Sequence, residues 1–489
     1  MAKIIKKIAR VILIVVAVAV IVPAVIFLLL QAPAVQTFTT NQIINGFAKK
    51  TDSEISIGKV SYSMFRRIVL DDLLLEDYNG DTLLAASSVR LRIREFRPKE
   101  GILRFGRTDI FGPDFRIIQD TAGITNLNRY IEALSRGSER DSSRKTDIRF
   151  SDIELHEGSF TLADKADTAG VSQGIVNFRD LRLNLINGKI RDLRIDADSV
   201  SMEIRKLAFT ESGGFDVVDL DMNSSFGRNI LSFRDINLMT GSSRVCAEKI
   251  LLMPEDSSSW KDFVNLVKFE MVFDESVFNT EDLSYFVRPL DGIRETVGFS
   301  GNLSGTVAEL RGRKIEIEYS EATKLNFDFD VSGLPDIGNS YLFIDFTDMT
   351  TRAEDIERFS IPGRESLQLP VIAHDLGEVT YTGSFTGFIT DFVTFGTLTT
   401  ERGVLMTDLS LKPAENNTFS FKGLLRTSAV DLGYVTRDSV TFGGLWMHAD
   451  IDGTMKSFDQ LSAVINGVID SVDINDYKYR NVSVDGTYG

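Results

Sequence analysis

The chain has little of several residue types that define common protein classes. Among its 489 residues are one cysteine, ten prolines, two tryptophans and three histidines. The single cysteine, Cys246, excludes an intramolecular disulfide framework and any paired-cysteine zinc or redox motif. Basic side chains are also scarce, because 54 Lys and Arg stand against 70 Asp and Glu, a net charge of -16. This acidic balance excludes binding of nucleic acid that is driven by overall charge, since such binding needs Lys- and Arg-rich surfaces.

The sequence also lacks the motifs of common enzymes. His156, His374 and His448 lie far apart in the chain, and none stands in a Cys/His or carboxylate-rich motif. No HExxH, GxSxG, Walker A or GxGxxG pattern occurs. The acidic pairs at 71–72 and 76–77 lack the loop spacing of an EF-hand or a glycine-rich calcium repeat. We therefore predict no enzyme, no cofactor and no metal site, and interpret the histidines as strand residues.

The amino terminus carries a membrane signal. Residues 11–30 are apolar except for Pro23, and twenty residues at about 1.5 Å each span the hydrocarbon core of a bilayer. Residues 1–10 form a basic tail, and the positive-inside rule places such a tail in the cytoplasm. We predict a single-pass anchor with the bulk of the chain on the far side. The residues that set this topology are Lys3, Lys6, Lys7 and Arg10.

A cleaved signal peptide is the alternative interpretation of the same segment. Residues 32–34 loosely imitate an A-x-A cleavage site. The apolar core of a signal peptide is only about 7–15 residues long, however, which favours a retained anchor here.

Beyond residue 30 the dominant hydrophobic pattern has a period of two. In the stretch 324–331, apolar residues alternate with Asn and Asp, so one face of a strand is apolar and the other is charged. Runs of this kind recur along the chain and are separated by Asn-Gly or Asp-Gly pairs, which favour tight hairpin turns. The fold class is therefore mostly β, built from antiparallel hairpins. We predict turns at Asn79-Gly80, Asn187-Gly188, Asp291-Gly292, Asp452-Gly453, Asn466-Gly467 and Asp485-Gly486.

Helical patterns are few and short. Three-and-four spacing predicts helices just after the membrane segment, at 124–134, at 281–288 and at 352–359. A polar run at 137–146 has the composition of a solvated linker. We therefore divide the chain after the anchor into an entry region, 31–136, and a repetitive β region, 147–489.

A weak internal repeat occurs in the second region. The segments 299–305 and 381–387 share the pattern aromatic-x-Gly-x-apolar-x-Gly. Such repetition is typical of a stacked β array, although ordinary turn chemistry is the alternative. Because the last residues, up to Gly489, resemble another copy without a polar cap, we expect the natural polypeptide to continue.

Several segments resemble a known family. The anchor, the short stretch 34–36 and the segment 54–60 resemble the entry segment of the AsmA-like superfamily. The segments 70–84, 381–399 and 431–433 are similar to the TamB proteins of Bacteroidota. None of these motifs is catalytic, so the resemblance concerns fold and family. The carboxy-terminal domain that defines this family would lie beyond Gly489.

The resemblance implies an inner-membrane-anchored periplasmic protein whose sheet is elongated and curled into an apolar groove, a β-taco. It implies phospholipid as a ligand, the inner membrane as the anchor site, and an Omp85-type outer-membrane barrel as a partner. The implied functions are phospholipid transport between the two membranes and assembly of outer-membrane proteins. A structural β-solenoid or adhesin stalk without lipid transfer is the alternative.

Aromatic and aliphatic strand residues are the candidates for lining such a groove. An alternating strand places an apolar stripe on one side, and helices are too scarce in this sequence to cover it. The same residues would also fill an ordinary closed core, and the sequence leaves both interpretations open. The candidates are Leu325, Phe327, Phe329, Val331, Phe343, Phe385, Phe395, Phe419 and Phe421.

Overall fold

The computed structural model describes most of the chain from residue 55 onward. The described residues are 55–63, 67–77, 79–97, 102–121, 124–127, 129, 147–166, 173–196, 199–227, 229–256, 259–286, 290–358, 369, 371–415, 418–457 and 460–488. The predicted tail, anchor, first helix and polar linker, at 1–10, 11–30, 35–47 and 137–146, lie outside them. No helix within the described part is long and apolar enough to cross a bilayer.

The chain is mostly β, as the alternating pattern predicts, and it divides into two compact units. In the first unit, which also includes Glu281–Asp291, the described residues form eleven strands. Its strands are β1 (Ile55–Ser63), β2 (Arg67–Glu76), β3 (Thr82–Arg97), β4 (Ile102–Phe111), β5 (Asp114–Gln119), β6 (Asp147–Asp164), β7 (Asp180–Ile195), β8 (Val200–Glu211), β9 (Asp216–Phe226), β10 (Leu231–Thr240) and β11 (Arg244–Pro254).

The second unit contains Lys268–Thr280 and the chain from Gly292 onward. Its strands are β12 (Val267–Asn279), which starts one residue before the unit, β13 (Thr296–Gly305), β14 (Glu309–Tyr319), β15 (Thr323–Ser332), β16 (Tyr341–Thr351), β17 (Val379–Phe388), β18 (Asp391–Thr400), β19 (Gly403–Pro413), β20 (Phe419–Asp431), β21 (Phe442–Ser457), β22 (Gln460–Ile474) and β23 (Tyr477–Tyr488). Each of these strands pairs antiparallel with the next along the chain.

The first unit departs from the predicted antiparallel order at one place. Strands β4 and β5 both pair with β6 in parallel. Parallel strands need a crossover connection, and the long segment between Gln119 and Asp147 supplies it. The helix predicted at 124–134 falls in this segment. Of that helix, Asn126, Leu127 and Arg129 are helical, and Leu127 is buried.

Short helices interrupt the sheet, as the sequence predicts. The helices predicted at 281–288 and 352–359 are confirmed in shorter form, at Thr280–Ser284 and Ala353–Arg358. The described helices are α1 (Phe263–Leu266), α2 (Thr280–Ser284), α3 (Ala353–Arg358), α4 (Val371–His374) and α5 (Leu432–Thr436), with 3₁₀ turns at Ser259–Asp262 and Ile337–Asn339.

Four of the six predicted hairpin turns are wrong. The pairs at 79–80 and 291–292 do lie in turns, but those at 187–188, 452–453, 466–467 and 485–486 lie inside β7, β21, β22 and β23. A Cβ at Gly453 would come within 2.5 Å of the Phe421 ring, and one at Gly467 within 2.5 Å of the Ala449 side chain. These two glycines therefore admit a neighbouring side chain across the sheet, instead of reversing the chain.

Candidate functional site

One face of the second unit carries apolar side chains on strand after strand. The register sets Phe329 opposite Ile344 of β16, and Phe327 opposite Ile315 of β14 and Phe346 of β16. The same alignment continues through β17 to β22, because residues directly opposite each other in a ladder share a face. We call this surface the apolar face. Its further members include Met271, Phe273, Phe299, Ile317, Tyr381, Phe392, Leu398, Leu409, Leu425, Met447, Ile451, Ile465 and Ile469.

Most side chains of the apolar face are half-buried. Phe327, Phe329 and Phe385 are neither fully exposed nor buried. The first unit differs, because its apolar residues form a closed core in which Leu70 and Ile117 have no exposed surface. Side chains that pack only against their neighbours along a sheet keep part of their surface exposed, whereas a second layer buries them. The side chains of the apolar face are thus shielded from water only in part, by their neighbours along the sheet.

Ring contacts on this face run along the sheet. The ring of Phe346 is 5.6 Å from that of Phe327 on β15 and 5.7 Å from that of Tyr381 on β17. Phe385 and Phe392 on adjacent strands lie 4.6 Å apart. These centroid distances are typical of aromatic pairs in contact. The rings therefore form a continuous lining across neighbouring strands.

The candidate residues from the sequence do not all share one face. Leu325, Phe327, Phe329, Val331, Phe385, Phe419 and Phe421 occupy apolar-face positions in the ladders. Phe343 pairs with Asp330 and Phe395 pairs with Asp408, which places both phenylalanines on the opposite face. Their side chains are 39% and 65% exposed, against 7% for Phe421. We therefore remove Phe343 and Phe395 from the set of groove candidates.

Glycines on the apolar face lie under aromatic rings, a feature that the sequence analysis missed. A Cβ at Gly312 would stand 2.1 Å from Cε1 of Phe329, which is directly opposite. Gly453 has the same relationship with Phe421. A ring that lies over a glycine shields the backbone and packs close to the surface of the sheet. The sequence feature that indicates such a position is a glycine within an alternating apolar stretch.

The two copies of the predicted repeat have equivalent backbone roles. Gly305 is the last residue of β13 and Gly387 the penultimate residue of β17, and their φ angles are +112° and +134°. A Cβ there would come within 2.0 Å of the Glu309 carbonyl oxygen and 2.4 Å of that of Asp391. Both strands open a set of four that is preceded by short helices. The repeating unit is thus four strands with a helical segment.

The helical segments fasten neighbouring turns through an aspartate. Asp355 of α3 accepts hydrogen bonds from the hydroxyls of Ser320, in the turn between β14 and β15, and of Thr323, the first residue of β15. In the first unit, Asp282 of α2 accepts from Thr240 at 2.5 Å and Ser243 at 2.6 Å, in the turn between β10 and β11. Asp355 is buried and Asp282 half-buried, and two hydroxyl hydrogen bonds replace hydration that each carboxylate loses. We call each arrangement an aspartate latch.

Among its described residues, the first unit contains one group of potential metal ligands. Oxygen and nitrogen atoms of Asp109, Glu154 and His156 lie within 4.8 Å of one another. The Arg107 guanidinium is 2.9 Å from both carboxylates, and Lys189 lies 3.4 Å from Glu154. These cations already balance the acidic charge. The group is therefore a salt-bridge network on the surface of β4 and β6.

The opposite face of the second unit is charged. Arg313 pairs with Asp330 at 2.8 Å, Lys324 with Glu318 at 2.7 Å, and Lys422 with Asp452 at 3.0 Å. The two faces of the same strands thus differ as the alternation at 324–331 predicts. Fold and site together define a mostly β protein with one charged and one half-exposed apolar face. Compared with family models, curated proteins and solved structures, the chain matches none.

Proposed function

We propose that the protein is an inner-membrane-anchored periplasmic protein of the TamB and AsmA-like type, and that its apolar face binds the acyl chains of phospholipids on their way toward the outer membrane. The half-burial of the apolar face carries this proposal. A large apolar surface that no protein layer covers needs another screen in water, and acyl chains provide one.

The chemistry of the two faces supports a lipid ligand. Rings such as Phe327 and Phe346 give flat apolar contact to an acyl chain at small cost in side-chain entropy. The charged face keeps the other side of the sheet hydrated. A lipid headgroup would remain at the water-exposed margin, because burying a phosphate without a partner is costly.

The anchor and the compartment rest on the sequence. The apolar segment 11–30 and the basic tail before it support a cytoplasmic amino terminus and a periplasmic bulk. Assembly of outer-membrane proteins with an Omp85-type barrel rests on the family resemblance alone. The contacts of the apolar face favour the lipid function over a structural stalk.

Site-specific photocrosslinking in the full chain tests the lipid proposal. A photoreactive phenylalanine analogue at position 329 faces the proposed acyl chains, and the same analogue at position 343 lies on the neighbouring strand but on the charged face. We expect phospholipid crosslinks in cells at 329 and not at 343. Because both variants share the same anchor, lipid bound around the anchor contributes equally to both.

The pattern of crosslinks decides the outcome. Position 385 provides a second site on the apolar face, and position 395 provides a second control on the charged face. Equal labelling on the two faces, or no lipid at 329 and 385, would refute the lipid function and favour the structural stalk.

A further inference from the structure

The charged face carries an apolar patch among acidic residues. Val393, Phe395 and Met406 of β18 and β19 are 46%, 65% and 46% exposed, and Leu424 and Val464 on the following strands are 46% and 41% exposed. Isolated exposed apolar residues are common, but a group spread over β18, β19, β20 and β22 on one face of the sheet marks an interaction surface. We call it the acidic-apolar patch and include Asp408 and Asp450 in it.

The register places acids and apolar groups alternately across the sheet. Phe395 pairs with Asp408, Asp408 pairs with Leu424, and Leu424 pairs with Asp450. Directly paired residues share a face, so these four side chains form one row across four strands. The row runs perpendicular to the strands, with neighbours about 4.8 Å apart.

The acids of this row lack salt-bridge partners. Within the described residues, the side chain of Asp408 makes neither a salt bridge nor a hydrogen bond, and that of Asp450 makes no salt bridge. The nearby Lys422 is paired with Asp452. A surface groove of about 420 Å³ lies here, and Asp408, Asp450 and Asp452 line it with only Lys422 as a cation. The groove is therefore both acidic and apolar.

We propose that the acidic-apolar patch docks a basic amphipathic helix of a partner protein. Charge complementarity identifies this partner, because the acids of the groove attract cations and the exposed apolar side chains favour apolar contact. Asp408 and Asp450 are two strand spacings apart, about 9.6 Å. Two turns of an α-helix rise about 10.8 Å, so Lys or Arg residues seven positions apart reach both acids.

The apolar anchors of the partner follow from the same geometry. A residue one helical turn from each of the two cations lies over Leu424, and another lies over Phe395. The patch is on the opposite face from the proposed lipid site. The two proposals are therefore independent, and failure of one leaves the other intact.

A peptide-binding measurement on the full chain tests the inference. The probe is a fluorescent helical peptide of about 18 residues, with Lys at two positions seven apart and Leu and Phe on the same face. A matched peptide carries Glu in place of both Lys. We expect saturable anisotropy with the Lys peptide, weakened by salt, and much weaker binding of the Glu peptide.

Variants on the charged face locate the binding. Phe395→Ser removes the most exposed apolar side chain of the patch and should weaken binding about tenfold. The double substitution Asp408→Asn/Asp450→Asn should weaken it about fivefold and reduce the effect of salt. Phe343→Ser and Asp345→Asn are the controls, since both residues lie on the charged face of β16, outside the patch.

Each result has one meaning. Loss of binding in the patch variants, with the control variants unchanged, supports the docking site. Equal binding of the two peptides, or binding that no patch variant weakens more than the controls do, overturns it. Because all of these positions are exposed, circular dichroism should show unchanged strand content in every variant.

Discussion

The ring of Phe329 lies over the backbone of Gly312 on the neighbouring strand. Three ring carbons would stand 2.1 to 2.7 Å from a Cβ at residue 312, closer than any non-bonded carbon pair allows. The two residues are directly opposite in the ladder between β14 and β15. The ring thus occupies the space that a larger side chain at residue 312 would fill, and it packs close to the backbone there.

Gly312→Ala should therefore destabilise the β14–β15 pair. The new methyl group forces the Phe329 ring out of its position, and overpacking of this kind costs about 1–3 kcal/mol. Hydrogen exchange measured by mass spectrometry should show faster exchange over 309–332 in the variant. Gly486→Ala is the matched control, because a Cβ there has no atom within 4 Å. Equal exchange in wild type and Gly312→Ala would contradict the packing argument.

Removing an aspartate latch should loosen its turn. Asp355→Ala deprives the hydroxyls of Ser320 and Thr323 of their acceptor, and Thr323 is buried. The Thr323 hydroxyl keeps the Thr351 hydroxyl as a partner, so the expected cost is that of its lost hydrogen bond to a charged acceptor, about 1.5–3 kcal/mol. Urea unfolding should show a lower midpoint, and hydrogen exchange should increase at 319–323. Glu321→Ala, at an exposed position of the same turn, should leave both unchanged.

The pairing of α3 with α4 should depend on pH. The hydrogen bond to Glu354, together with the charge of Glu357, raises the pKa of His374 above its usual 6.5. A hydrogen bond from its own backbone and one from His374 lower the pKa of Glu354 below its usual 4.5. The His374 contribution is complete below 6.5 and lost as pH rises through the raised pKa. The Glu354 contribution is complete above 4.5 and lost as pH falls through the lowered one.

The contact between His374 and Glu354 should thus stabilise the folded protein most between pH 4.5 and 6.5. His374→Gln should lower the melting temperature more at pH 5.5 than at pH 8.5, a pair of conditions chosen about one unit inside and two units beyond this window. A difference between variant and wild type that does not change with pH would refute the assignment.

Glu211 should make the first unit more stable in mild acid. Burial raises the pKa of this carboxyl above its usual 4.5, although backbone N–H groups, including that of Gly213 at 2.6 Å, favour the ionised form. The folded state therefore binds the proton more tightly than the unfolded state. Stability falls as pH rises from 4.5 through the raised pKa. Glu211→Gln keeps an acceptor oxygen and should remove this fall, as thermal unfolding across that range would show.

Much of the fold follows from the sequence through simple periodicity. The alternation at 324–331 predicts β15 and its two unlike faces, since successive side chains of a strand point to opposite sides. The short helical patterns at 281–288 and 352–359 also correspond to α2 and α3. The Asp-Gly pair at 452–453 fails as a turn signal. The same dipeptide suits a tight turn and a strand position where a ring from the next strand needs room.

The candidate site was predictable only in part. Every second residue of a strand lies on the same face, and this rule correctly groups Leu325, Phe327, Phe329 and Val331. The rule does not predict which face of one strand continues the face of the next, because loops and bulges shift the register. Phe343 and Phe395 therefore looked like their neighbours in the sequence, although they lie on the charged face.

The sequence by itself determined the mostly β class, the charge balance, the short helices and the two-faced character of each strand, because these depend on composition and local spacing. Only the tertiary structure decided which strands share a face, which glycines lie beneath rings, and how Asp282 and Asp355 reach their turns. Those relationships join residues distant in the chain, and ladder register and side-chain packing set them. The contrast between the closed core around Leu70 and the half-buried face around Phe329 likewise exists only in the packed molecule. Burial measures what lies against a side chain, and no local pattern contains that information.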